Sequence, residues 1–194
     1  KEALADGKLG VRLWVMLSGG NEELLQNWYE TGPEVGLGDN FLTIRAIKLS
    51  SDGALGSRGA WLLEDYEDRE GHAGFSTTPM SYVNTVAHDA LANGFQLGVH
   101  AIGDRANREV LDQFEDAFKA NPTAAADARF RIEHAQHIDP EDIPRFGELG
   151  VIAAMQGIHM SSDRPWAIDR LGIDRIVASA YVWQALLESG AKVI

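Results

Sequence analysis

Two histidines, His100 and His134, have the spacing of ligands for one metal ion. Each lies at the end of a short apolar run, and the second follows the first by 34 positions, about one strand–helix–strand repeat. Because parallel-sheet proteins bind ligands at the carboxyl ends of their strands, we expect both imidazoles to project from neighbouring strand ends. Neutral imidazole is a common zinc ligand. The alternative is a pair of core histidines whose hydrogen bonds are satisfied within the protein.

Lys48 is a third candidate, because it lies in the apolar run at residues 41–49 and shares a face with Ile44 and Ala46. From this pattern alone, a salt bridge at the mouth of a barrel is the simplest interpretation. A lysine in an apolar setting could instead be a Schiff-base nucleophile. It could also react with carbon dioxide to form a carbamate, an oxygen ligand that can bridge two metal ions.

Other polar residues near predicted strand ends could contact a substrate or orient a ligand. We expect His159, Asp52 and Arg58 to bind substrate, although an exposed loop position for His159 and a capping role for Asp52 fit the pattern as well. Asp104 and His137 closely follow the two strands that carry the candidate ligands. We therefore expect them to support those ligands from behind.

The elements that position these residues alternate between strand and helix. We predict strands at residues 10–17, 41–49, 95–100, 129–136 and 151–156, with a sixth beginning at 191. We predict helices at residues 22–30, 81–92, 107–119, 140–149, 166–171 and 180–189, and polar loops at 31–40, 50–79 and 157–163. Repeated strand–helix units predict parallel strands with right-handed crossovers, in a barrel or a doubly wound sheet.

Hydrophobic patterning adds an expectation for two of these strands. Residues 10–17 are apolar almost throughout, which is typical of a strand covered on both faces. In the run at 129–136, alternation places Phe130, Ile132 and His134 on one face, which we expect a barrel to turn inward.

The composition limits the classes of function. The 194 residues are 45% hydrophobic, enough for one well-buried domain. Seventeen basic and 29 acidic side chains give a net charge of -12, which disfavours binding to nucleic acid or to anionic membranes. The absence of cysteine excludes disulfides and thiolate ligands, so a metal must be held by imidazole or carboxylate groups. We find no spanning segment and no signal peptide, and we expect a cytoplasmic protein.

Several motifs in order resemble the amidohydrolase superfamily. They are KLSSDGALGSRGAWL, GVHAIGDRANREVLDQFE, RIEHAQ, and the run from RFGELGVIAAMQ to YVWQALLESGAKV. The sequence is most similar to amidohydrolase family 3, which includes N-substituted formamide deformylase. The resemblance implies a distorted TIM-type barrel with one or two divalent metals, commonly zinc. It also implies that His100 and His134 are ligands from the fifth and sixth barrel strands. Lys48 matches a fourth-strand position where many relatives carry a carboxylated lysine.

The sequence also departs from that family pattern. Family members begin with a strand that carries a His-x-His pair and end their eighth strand with a metal-binding aspartate, and neither feature is found in this sequence. By this comparison residues 10–17 correspond to the third strand and residues 191–194 to the start of the eighth. We therefore expect residues 1–194 to form a single partial barrel, without the first two strands, the end of the last strand and the β-sandwich domain.

The resemblance implies a parent enzyme that hydrolyses carbon–nitrogen bonds in small amides, formamides or cyclic amides, with a metal-activated water attacking the carbonyl. We expect the chain by itself to bind metal weakly and to lack useful activity. The alternative is a non-catalytic interaction module. A partial barrel has two open sheet edges, which favour a homodimer or a domain-swapped oligomer.

Overall fold

A computed structural model describes residues 1–194 and shows an α/β fold built around a seven-stranded sheet. The strands are β1 (Leu13–Ser18), β2 (Glu34–Gly36), β3 (Leu42–Ser50), β4 (Gln96–Ala101), β5 (Arg131–His134), β6 (Ile152–Ala154) and β7 (Lys192–Val193). Six of them are parallel in the order β1-β3-β4-β5-β6-β7, and β2 pairs antiparallel with β3. The sheet is open, with β1 and β7 at its edges. The predicted class, a partial TIM-type barrel of parallel strands, is confirmed.

Nine helices accompany the strands, and most of them cover one face of the sheet. They are α1 (Glu2–Ala5), α2 (Glu22–Thr31), α3 (Leu37–Asn40), α4 (Met80–Ala92), α5 (Asp104–Ala120), α6 (Pro122–Ala125), α7 (Ile143–Leu149), α8 (Gly157–Ser179) and α9 (Trp183–Glu188). None of the helices combines the length and the apolar character needed to cross a membrane.

The main core lies between the sheet and these helices. Leu97 and Val99 of β4 are fully buried there, because alternate residues of the strand face the helical layer. The apolar stripe of α5 packs on the same layer, and its Phe114 ring lies 5.0 Å from the ring of Phe130. Because β4 and β5 are parallel neighbours, their carboxyl ends lie side by side at the same end of the sheet.

The first strand differs from the prediction. We expected a strand covered on both faces, but Leu13 is 41% and Trp14 is 40% exposed. The reason is position, because β1 lies at the edge of the sheet and pairs with β3 alone. An apolar run therefore predicted a strand correctly and its burial wrongly.

A bulge in β3 changes the face on which Lys48 lies. Val15 pairs with Ile44 and Met16 pairs with Ala46, so the register passes over Arg45. The predicted grouping of Ile44 with Lys48 is therefore wrong. Ile44 joins the helix-covered core together with Ile47 and Leu49. Lys48, which alternates with those last two residues, lies on the open face of the sheet.

Several connections also differ from the prediction. Residues 31–40 hold the short β2 and α3, and residues 157–163, predicted as a polar loop, form the start of α8. The apolar positions of that long helix are interrupted by Pro165 and by a kink at Gly172, which hides its helical period. Helix α4 begins at Met80 after Pro79, and α5 begins at Asp104, three residues before the predicted start.

The long excursion after β3, residues 51–79, has its own small core. Leu55, Leu62 and Tyr66 are buried against Ala167 and Leu171 of α8. This second cluster holds the excursion over the carboxyl ends of the strands, at the same end of the sheet as the candidate ligands.

Candidate metal centre

The structure brings His100 and His134 together at the carboxyl ends of β4 and β5. In the register of this parallel pair, His100 lies opposite Glu133, and Ala101 lies opposite His134. The centroids of the two imidazole rings are 4.6 Å apart. Two imidazoles at this separation can direct ring nitrogens toward one ion, which is the arrangement that the spacing in the sequence predicted.

The face of His134 has a different origin from the predicted one. Phe130 and Ile132 are fully buried in the helix-covered core, so a regular strand would send His134 into the same layer. Instead His134 has φ 78°, in the left-handed region. That turn brings its ring to the open face beside His100. A positive φ costs a non-glycine residue of the order of 1–3 kcal/mol, and such strain is concentrated at functional sites.

A glutamine outside the predicted set holds the His134 ring. The ring Nδ1 lies 2.5 Å from Oε1 of Gln156, which follows β6. Burial lowers the pKa of His134, the hydrogen bond to Gln156 opposes that shift, and His100, His159 and Lys48 lower the pKa further. The imidazole is therefore held neutral, which is the protonation state that binds a metal.

Asp52 lies behind His100 and is completely buried. Its carboxylate accepts hydrogen bonds from the backbone N–H groups of Trp61, Ile102 and Gly103, at 2.8–3.0 Å. Its Oδ1 is also 3.3 Å from Nε2 of His100, at an angle too poor for a hydrogen bond. The buried Asp52 is placed to support a ligand rather than to meet a substrate, so the structure favours its capping interpretation.

Lys48 lies on the neighbouring strand, opposite Gly98, on the same open face. Its Nζ donates a hydrogen bond to the carbonyl of Leu49 at 2.6 Å. Burial lowers the pKa of the Lys48 ammonium, although Glu133 raises it and Arg131 lowers it. The neutral amine, which is the nucleophilic form, is therefore easier to reach here than on an exposed lysine.

An ion pair next to Lys48 was also missed by sequence reasoning. Arg131 and Glu133 form a contact of 2.5 Å between Nε and Oε1, on the face opposite to Ile132. Gly98 makes room for it, because a Cβ at this position would lie 3.1 Å from Oε1 of Glu133. Strict alternation around the buried Ile132 was the signal that could have placed both charged residues on the open face.

His159 also reaches this site, from the first turn of α8. Its ring stacks on that of His134 with centroids 5.6 Å apart. The helical start of α8 thus brings to the site a side chain that we had expected on a polar loop. Its position at the rim is compatible with the predicted contact to substrate.

Three residues that we predicted to contact substrate or to support the ligands make their contacts elsewhere. Arg58 forms two hydrogen bonds with Asp68, at 2.9 and 2.7 Å, within the excursion after β3. Asp104 accepts from the backbone N–H of Leu63, and burial raises its pKa. The His137 side chain is buried next to Tyr181, with ring centroids 5.8 Å apart. None of these three side chains contacts the His100–His134 pair.

The types of ligand atom at this site suit a divalent metal. Both imidazoles lie on the open face at a strand end, and a carboxylated Lys48 would add an anionic oxygen. No three histidine, aspartate or glutamate side chains are grouped so that they could share one ion. Catalytic zinc sites normally use three protein ligands, so the unmodified residues supply an incomplete set.

Several known proteins are similar to this chain in sequence. The chain is 36% identical over 151 residues to Protein LONG AFTER FAR-RED 3 of Arabidopsis thaliana, covering 78% of this chain and 26% of that protein. It is 32% identical over 194 residues to YtcJ of Bacillus subtilis (strain 168), whose name refers it to the amidohydrolases, covering 98% and 34%. The chain thus spans about a third or less of the length of these relatives.

Solved structures give the same result for the fold. The crystal structure of an uncharacterized metal-dependent hydrolase from Pyrococcus furiosus matches with a TM-score of 0.84 and 32% identity, over 99% of this chain and 38% of that one. Its counterpart from Pyrococcus horikoshii OT3 matches with a TM-score of 0.83 and 27% identity, over 99% and 36%. The model of the amidohydrolase family, Amidohydro_3, matches residues 1–194. The chain therefore belongs to the amidohydrolase family.

Proposed function

We propose that this chain supplies two imidazole ligands to the metal centre of a hydrolase that cleaves carbon–nitrogen bonds in small amides, formamides or cyclic amides. The observation that carries the proposal is the pair of rings, His100 and His134, 4.6 Å apart at adjacent strand ends. Family membership and the metal-dependent hydrolases of the same fold support it. Cytoplasmic location remains part of the proposal.

Each residue has a defined role in the proposed site. His100 and His134 would hold one or two divalent metals, with zinc as the expected ion. When bound, such a metal polarises a carbonyl oxygen and lowers the pKa of water. His159 at the rim would contact the small-molecule substrate. Asp52 would keep the loop after β4 in place behind His100.

Lys48 would contribute after reaction with carbon dioxide. Its neutral Nζ forms a bond to the carbon of carbon dioxide and releases a proton, and the product is an anionic carbamate. Burial favours this step because it lowers the pKa of the ammonium. The carbamate provides an oxygen ligand that can bridge two metals. Mass spectrometry of the protein in bicarbonate buffer measures the carbamate. We expect a mass increase equal to one carbon dioxide.

Zinc titration by calorimetry tests the metal site. We expect the chain to bind zinc weakly. We expect the zinc affinity to fall at least tenfold in the double variant His100→Asn/His134→Asn. His88→Asn is the matched control, because this exposed imidazole pairs with Asp116 away from the site. Equal zinc affinity in the double variant would contradict the proposal. With an incomplete ligand set, we expect no amide turnover above background by the chain alone, even with added zinc.

The open sheet supports a second candidate function. Strands β1 and β7 each leave one side without a partner strand, and such edges pair with other strands. A module that associates through these edges needs no catalysis. Self-association by a wild-type chain that binds no zinc would favour this function over hydrolysis.

A further inference from the structure

Gln156 has an amide whose orientation is fixed by its surroundings. Its Nε2 donates a hydrogen bond to the backbone carbonyl of Ala154 at 3.1 Å. Because a carbonyl oxygen can only accept, the nitrogen of the amide must face Ala154. The amide oxygen Oε1 then faces His134, 2.5 Å from its ring Nδ1.

This orientation determines where the proton lies on His134. An amide oxygen has no proton to give, so the ring Nδ1 must be the donor in this contact. A neutral imidazole with its proton on Nδ1 carries its lone pair on Nε2. We propose that Gln156 is a positioning residue that holds His134 in this tautomer and leaves Nε2 as the atom that binds the metal.

The position of Gln156 makes it suitable for this role. It lies between β6, which pairs with β5, and the first turn of α8, so its backbone is held from both sides. No other side chain forms a hydrogen bond to the His134 ring in the 194 residues. The role in metal binding rests on the proposed function, whereas the tautomer does not.

Nitrogen NMR of the imidazole rings tests the tautomer without any metal. In the metal-free protein, above the pKa of histidine, we expect His134 to show a protonated Nδ1 and an unprotonated Nε2. Gln156→Leu removes the acceptor, and we expect the proton to redistribute between the two nitrogens. Gln156→Glu keeps an acceptor at the same place and should keep the wild-type pattern.

Zinc affinity provides the second measurement. Loss of a residue that orients a metal-binding histidine typically costs 10–100-fold in affinity, so we expect a fall of about this size for Gln156→Leu and a smaller one for Gln156→Glu. Gln184→Leu is the matched control, since this exposed glutamine pairs with Glu188 on α9. Thermal unfolding of each variant separates a changed ring from a changed fold.

The outcomes separate this inference from the proposed function. A proton on Nε2 of His134 in the wild-type protein would overturn the inference, as would an unchanged tautomer in a folded Gln156→Leu variant. The expected tautomer in a protein that fails to bind zinc would support the role of Gln156 as a positioning residue and contradict the metal site.

Discussion

His137 differs from His100, His134 and His159 in that its ring is almost entirely buried. The side chain packs beside Tyr181, and its Nδ1 has no hydrogen-bond partner. Burial lowers the pKa of His137 from 6.5 to about 4, an effect that Asp163 opposes and Arg175 reinforces. The ring is therefore neutral in the folded protein near neutral pH.

This burial predicts a loss of stability in mild acid. Below pH 6.5 the unfolded chain binds a proton at His137 that the folded chain rejects until about pH 4, so the free energy of unfolding falls as the pH falls across this window. The full loss is about 3 kcal/mol. Urea unfolding from pH 7 to pH 4 measures it. In His137→Gln this part of the pH dependence should vanish, and it should persist in His88→Gln. Parallel curves for wild type and His137→Gln would contradict the prediction.

The sequence predicted which histidines meet, but not how they do so. The spacing of His100 and His134 follows from the length of one repeat, so an error of one or two residues in a predicted strand boundary does not change it. The same error does change the face on which each side chain is placed. The bulge at Arg45 and the positive φ at His134 each reverse the alternation, and neither has a glycine that would reveal it. Gln156 was missed because its importance depends on β6 lying beside β5.

At the level of elements, Asp52 joins two parts of the excursion after β3 to a turn about 50 residues further along the chain. Its carboxylate ties the start of the excursion after β3 to Trp61 and to the turn between β4 and α5. Removing it would leave buried backbone N–H groups without acceptors, each at a cost of about 1–3 kcal/mol. We therefore expect Asp52→Ala to lower the free energy of unfolding by about 3 kcal/mol or more, measured by urea unfolding.

A matched control distinguishes this effect from simple loss of charge. Asp6→Ala removes an exposed carboxylate paired with Lys8, and we expect a change within about 0.5 kcal/mol. If Asp52→Ala cost no more than the control, the proposed tie between the segments would be wrong.

At the level of the whole molecule, the parallel order of strands was predictable because helices alternate with the strands along the chain. What hydrophobic patterning alone left open is which strands lie at the edges of the sheet. The apolar run at residues 10–17 looks the same for a central strand and for an edge strand, since both bury at least one face. The pairing of β1 distinguishes an edge strand from a central one, and β1 has a neighbouring strand on one side only.

Those edges predict self-association of the chain. Val11, just before β1, is 62% exposed, Leu13 of β1 is 41% exposed, and Ile194, just after β7, is 62% exposed. Apolar side chains beside unpaired backbone groups favour pairing with a second copy, most directly as a homodimer. The net charge of -12 opposes this association, so added salt should strengthen it by screening.

Light scattering coupled to size-exclusion chromatography measures the association. We expect the molar mass to rise from monomer toward dimer between low micromolar and near-millimolar concentration. Leu13→Lys should shift this transition to higher concentration, because a lysine on an edge strand blocks pairing. Val177→Lys is the matched control, since Val177 is 75% exposed and lies on helix α8 rather than on a strand. A monomer throughout the range, at low and at high salt, would contradict edge pairing. The open edges would then give no support to an interaction module, and hydrolysis would remain as the proposed function.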